Sequence, residues 1–171
     1  MFDKPMSHRQ KNWWKTFHLL FVSIWFAGGL GALLLAVLAT KTRHIVLIFA
    51  AHYYIQYFDW FLIIPGGLGT ILTGIWLAAR TNWGLAKYYW IIVKLLANIG
   101  IILFGGIKMR LWIHETVPLI LANRNNTLQN AQYLHNREML VIGLSVSLGV
   151  LIFLMFISVF KPWGPRGKNG S

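Results

Sequence analysis

Three ionisable side chains stand inside apolar stretches of this sequence: His18, Asp59 and Lys94. An ionisable group surrounded by lipid is costly to keep there, so each is a candidate for binding or catalysis. His18 opens the run HLLFVSIWFAGGLGALLLA, and on a helix His18, Val22, Trp25, Gly29, Ala32 and Ala36 share one face. An imidazole, an indole and a groove of small residues on one stripe suit a flat cofactor inside a helical bundle. Haem is the expected one, with His18 as an axial ligand and Trp25 beside it. Lys94 lies seven residues past Lys87, ~10 Å along a helix, and shares a face with Ile91 and Asn98. It falls in the same half of the bundle as His18, where an ammonium would meet a propionate or an anionic substrate. Plainer readings stand beside these: His18 as an interfacial imidazole one turn beyond Lys15, and Lys94 as a cation snorkelling to headgroups.

A second constellation follows at i, i+4 and i+7: His52, Gln56 and Asp59. A carboxylate that orients a histidine commonly supports a metal or haem ligand, which makes His52 a second ligand candidate with Asp59 behind it. His18 and His52 are expected in opposite leaflets, so they would serve separate sides or separate haems. The plainer reading of His52 and Asp59 is a solvated polar helix face. With no cysteine in the chain, a copper site would need His52, His114 and His135 with Met109 or Met139. HExxH, P-loop and GxSxG motifs are missing, and Gly66-Gly67-Leu68-Gly69 lies in an apolar run where helix packing explains it. A third reading is a cofactor-free structural subunit that forms a homodimer through its small-residue faces.

Composition says what must position these groups. Of 171 residues 57% are hydrophobic and 12% charged, which excludes an ordinary soluble domain. The net charge of +12, from 16 Lys and Arg against 4 Asp and Glu, gathers at the ends of apolar runs, so it reads as membrane topology rather than nucleic-acid binding. The lipid bilayer is the first expected partner. Apolar runs near residues 17–38, 58–79, 88–107 and 140–160 are each close to the ~20 residues a spanning helix needs. The first is longer than a signal-peptide core and is read as a retained span. The fold class is therefore all-α, one membrane domain forming an integral four-helix bundle. Both termini are expected to be cytoplasmic, with Lys4, Arg9, Lys11, Lys15, Arg80, Lys87, Lys161, Arg166 and Lys168 inside. The second helix is expected to begin near Ile45 and to kink at Pro65. Gly66, Thr70, Gly74 and Ala78 should pack it against the first. In the connection 108–138, Pro118 suggests the start of a short helix, and Asn125-Asn126-Thr127 the cap of another. The tail 162–171 is expected to be poorly ordered.

Lys15-Thr16-Phe17-His18-Leu19-Leu20, with Ile24-Trp25-Phe26-Ala27-Gly28, resembles the first span of the HemJ-type protoporphyrinogen oxidases and the related CopD-like bacterial membrane proteins. Pro65 with Thr73-Gly74-Ile75-Trp76-Leu77 is similar to their second span, and Trp83-Gly84 with Val93-Lys94-Leu95 to their third, so the likeness covers residues 15–96. It implies a four-helix protein of the bacterial inner membrane. It also implies haem b, with His18 and Lys94 at the positions of the family's histidine and lysine, and a quinone, porphyrin or redox protein as partner. Leu33-Leu34-Leu35 replaces the basic and histidine residues that close the family's first span, and the acidic motif after the fourth is missing. The resemblance thus implies an unassigned haem-binding relative, in electron transfer or haem and porphyrin handling.

Overall fold

In lipid, each backbone N–H and C=O must be satisfied within the protein, and continuous helices do this without a partner strand. The computed structural model describes residues 6–81, 84–124 and 126–164, and within them the chain forms four long helical rods. They run His8–Lys41, Ile45–Arg80, Tyr89–Ala122 and Ala131–Phe160, each long and apolar enough to cross a membrane. Lys4, Trp83, Asn125, Arg166 and Lys168 lie outside the described residues, as does the tail beyond Gly164.

The first rod is helix α1 (His8–Lys41), started by a capping box in which Gln10 N donates to Ser7 Oγ at 3.2 Å and Ser7 N to Gln10 Oε1 at 3.0 Å. The second rod is α2 (Ile45–Phe58), a π-helical turn (Asp59–Ile63) and α3 (Ile64–Arg80). The kink expected at Pro65 thus takes the form of a wide turn just before it. Pro65 has no N–H, and its ring would meet the carbonyl one turn back; the π turn, closed by Ile64 N–H to Asp59 O, relieves both.

The third rod corrects the reading of residues 108–138. It does not end near 107 but continues through α4 (Tyr89–Phe104), a second π turn (Gly105–Met109) and α5 (Arg110–Ala122). Pro118 lies inside α5 instead of starting a helix. The extra residue of the π turn rotates everything beyond it by about 100°, so Met109, Ile113, Val117 and Ile120 turn inward. The last rod, α6 (Ala131–Phe160), is capped by Asn130, whose Oδ1 accepts from Tyr133 N at 2.9 Å, so the expected cap at 125–127 sits a few residues too early.

The rods form an up-and-down bundle in which α1 packs on α2, α3 and α6, α5 on α2 and α6, and α4 on α3 and α6. Trp25, Gly29, Ala32 and Ala36 form the inward stripe of α1. The α1–α3 contact is the tightest: a Cβ on Gly66 would lie 2.6 Å from the Trp25 backbone N, and one on Gly28 would lie 2.6 Å from Leu62 Cβ. Gly69 is pressed on the Phe21 ring and Gly74 on His18. These glycines are taken up inside the chain, so they are not free to form the expected homodimer. By contrast α4 is loosely held, with Trp90 and Ile91 its buried residues.

Gly66→Ala should therefore lower the thermal midpoint in detergent, because overpacking against backbone costs about 1–3 kcal/mol. Gly100→Ala, where nothing lies within 4 Å of the new Cβ, should leave it unchanged or raise it slightly.

Candidate functional site

The α1–α3 register sets His18 beside Thr73. His18 Nδ1 and Thr73 Oγ1 are 2.9 Å apart, and Thr73 Oγ1 donates its hydrogen to Gly69 O at 2.6 Å. With the single Thr73 hydroxyl hydrogen assigned to Gly69 O, Thr73 accepts from His18 Nδ1–H, and the neutral imidazole in that tautomer carries its lone pair on Nε2. Gly74 leaves room for the ring, its missing Cβ falling 3.2 Å from His18 Cε1.

His18 lines an inner cavity of about 260 Å³ together with Thr70, Ile91, Lys94 and Asn98. The expected meeting of His18 and Lys94 in one half of the bundle is therefore what the structure contains. Lys94 Nζ donates to Ser158 Oγ at 2.5 Å, and Asn98 Nδ2 to Lys94 O at 2.7 Å. The ammonium has three donors, so the bond to Ser158 does not exhaust it. Thr70 Oγ1 is buried beside the cavity without a partner.

A second, central cavity of about 240 Å³ touches all four rods. Trp25, Asp59, Gly67, Gly105, Arg110 and Leu148 are among its walls. Trp25 thus belongs to this cavity and not to the one that holds His18. Asp59, 7% exposed, is held by His114, whose Nε2 lies 3.2 Å from Asp59 Oδ2. Trp60 stands edge-on to His114 and carries the Arg110 guanidinium 5.0 Å over its ring.

The expected pairing of Asp59 with His52 is corrected: the histidine that Asp59 meets is His114, 55 positions away. Gln56 also turns toward the third rod, donating to Ile113 O at 3.2 Å. His52 faces α6 instead, edge-on to Tyr133 at 5.8 Å, and neither of its ring nitrogens has a partner. It lines neither cavity and lies at the opposite end of the bundle from His18, so the two cannot share one iron. Asn136 Nδ2, also buried and unpartnered, and Tyr133, with the Arg137 guanidinium 5.5 Å over its ring, were not singled out by sequence. Nor were Thr73, Ser158 and Arg110, whose roles depend on which helix faces meet.

Among the described residues no three His, Asp or Glu side chains come together as a metal site. His52 is enclosed, His114 is engaged by Asp59 and His135 is exposed, so the proposed copper ligands are dispersed.

The profile of one family, described as a predicted integral membrane protein (DUF2269), matches residues 13–161. The chain belongs to the DUF2269 family. No match was found among curated proteins or among solved structures. In this DUF2269 chain both cavities, and every residue named around them, fall within the matched segment.

His114→Ala should destabilise the protein by about 1–3 kcal/mol, because it takes from the buried Asp59 carboxylate its hydrogen-bond donor. In an Asp59→Leu background the same substitution should cost much less. A double-mutant cycle of unfolding in mixed micelles reads the coupling, expected at roughly 0.5–3 kcal/mol.

Proposed function

We propose that this DUF2269 protein binds a b-type haem, with His18 as an axial ligand through Nε2, and acts in electron transfer or in haem and porphyrin handling. The observation that carries the reading is the His18–Thr73–Gly69 hydrogen-bond chain. A ligating histidine usually donates its other N–H to an acceptor, which fixes the tautomer and raises the basicity of the ligating nitrogen. The likeness of residues 15–96 to the HemJ-type proteins, including His18 and Lys94, supports the same assignment.

The donor set fits the group. The inner cavity offers one neutral imidazole, apolar walls, the unpartnered Thr70 hydroxyl, and Lys94 as the cation for a propionate. Its volume of about 260 Å³ is below the roughly 300–1,000 Å³ of pockets that enclose drug-sized ligands, so a macrocycle requires one wall to yield. That wall would be α4, and since its buried residues Trp90 and Ile91 themselves line this cavity, both would have to shift to admit the ring. When bound, haem would supply a one-electron couple within the bilayer. His18 would then hold the iron, Thr73 would orient His18, and Lys94 would anchor the acidic edge.

Membrane placement completes the reading. The bundle end that carries Arg9, Lys11, Lys15, Arg80 and Lys161 is the cytoplasmic one, and the membrane is the bacterial inner membrane. His52 has no part in this site, because both of its nitrogens are enclosed away from either cavity.

Protein expressed with haem supplementation and purified in detergent should carry one b haem per chain by pyridine haemochrome assay. His18→Ala should lose it, and Thr73→Val should lower haem affinity by about 10- to 100-fold, while His52→Ala retains it. Wild-type protein without haem, or His18→Ala protein with full occupancy, would overturn the assignment.

A further inference from the structure

We infer that the central cavity is a binding site for a lipid-soluble quinone or quinol, taken up from the bilayer between the second and third rods and recognised by Asp59. This inference stands apart from the haem reading, since it uses a different cavity and different residues.

The route comes from how the two rods meet. At the inner end Ala78 packs with Trp90 and Ile91, and at the outer end Ile48 packs with Ile120 while Gln56 reaches Ile113 O. Between these contacts lie both π turns, Asp59–Ile63 and Gly105–Met109, and the cavity sits between them. Leu68, 49% exposed, forms one edge of the cavity, and Gly105 and Gly106, with nothing within 4 Å of an added Cβ, form the other. The opening therefore lies on the lipid side, at mid-height. Two π turns facing one cavity from neighbouring rods is a placement typical of functional sites.

The chemistry of the walls selects the ligand. Gly105 and Gly106 leave one wall open, while the Trp25 ring packed on Gly67 and Leu148 packed on Gly29 form the opposite wall. The residues with polar side chains along it are Asp59, Ser147 and Arg110, the last with its guanidinium over the Trp60 ring. Asp59 Oδ2 is engaged by His114, and Oδ1 has no hydrogen-bond donor among the described residues. An anion would be repelled by Asp59 and a cation by Arg110. A neutral ring that can donate a hydrogen bond to a carboxylate and accept one from a guanidinium satisfies both, and an apolar tail left in the bilayer explains the lateral opening. Quinols and quinones combine these properties.

The test uses the full chain in phosphatidylcholine nanodiscs, titrated with decylubiquinone and its reduced form, with tryptophan fluorescence as readout. Wild-type protein should show saturable quenching. Gly105→Leu, at a cavity-lining position where the new Cβ meets nothing within 4 Å, should abolish the saturable part, while Gly149→Leu, equally open at Cβ but lining neither cavity, should not. Asp59→Asn should weaken binding of the quinol about tenfold, the effect of losing one hydrogen bond to a charged group. Thermal midpoints of the variants separate misfolding from lost binding. Linear quenching that is the same in wild type, Gly105→Leu and Gly149→Leu means partition into lipid alone and overturns the inference. Haem content of the same preparations is read separately, so loss of one reading leaves the other testable.

Discussion

The contact between Gly66 and the backbone of Trp25 leaves no room for a methyl group, and the rest of the bundle depends on it. Backbones this close cannot slide, because Gly28 against Leu62, Gly69 against Phe21 and Gly74 against His18 lock the same antiparallel register. That register places Thr73 Oγ1 2.9 Å from His18 Nδ1, so helix packing fixes which hydroxyl the imidazole meets. In a bilayer, apolar side chains gain little from leaving lipid for one another. Close approach and shape fit therefore carry the association, which makes glycine positions more decisive than large apolar residues.

A bundle packed this tightly on one side has its space on the other. α4 is the loosely held wall, and the two cavities follow one another along it, Asn98 lining the inner one and Ile101, one turn on, the central one. The π turns explain how the outer half closes again. Each adds a residue without opening the hydrogen-bonded ladder to lipid, and the added rotation brings Asp59 and His114 face to face. Polar chemistry at mid-membrane is thereby obtained from small irregularities in continuous helices, with no broken helix.

Much of this was legible in the sequence. Four apolar runs gave four spans, the small residues of the first two marked their contact, and the spacing of His18 and Lys94 put both in one half of the bundle. What escaped reading depended on rotational phase. Lys108, Arg110, His114 and Glu115 look like a polar loop, yet they ride on the outer turns of the third rod, which continues to Ala122. Spacing alone points to a partner for Asp59 at i−7 on its own helix, because the π turn that redirects α5 has no signature beyond Gly105-Gly106. His52 carried the right residue type for a ligand, but its face turned to Tyr133 and away from open space.

The proposed haem site depends on His18 Nε2 being open to a metal. The measurement that bears on this most directly is the reduced-minus-oxidised visible spectrum of the purified protein, taken with dithionite. A Soret band that sharpens on reduction with a resolved α band, and that is lost in His18→Ala protein of normal thermal midpoint, is the predicted result. A featureless spectrum after haem reconstitution, or one that His18→Ala leaves unchanged, would contradict it.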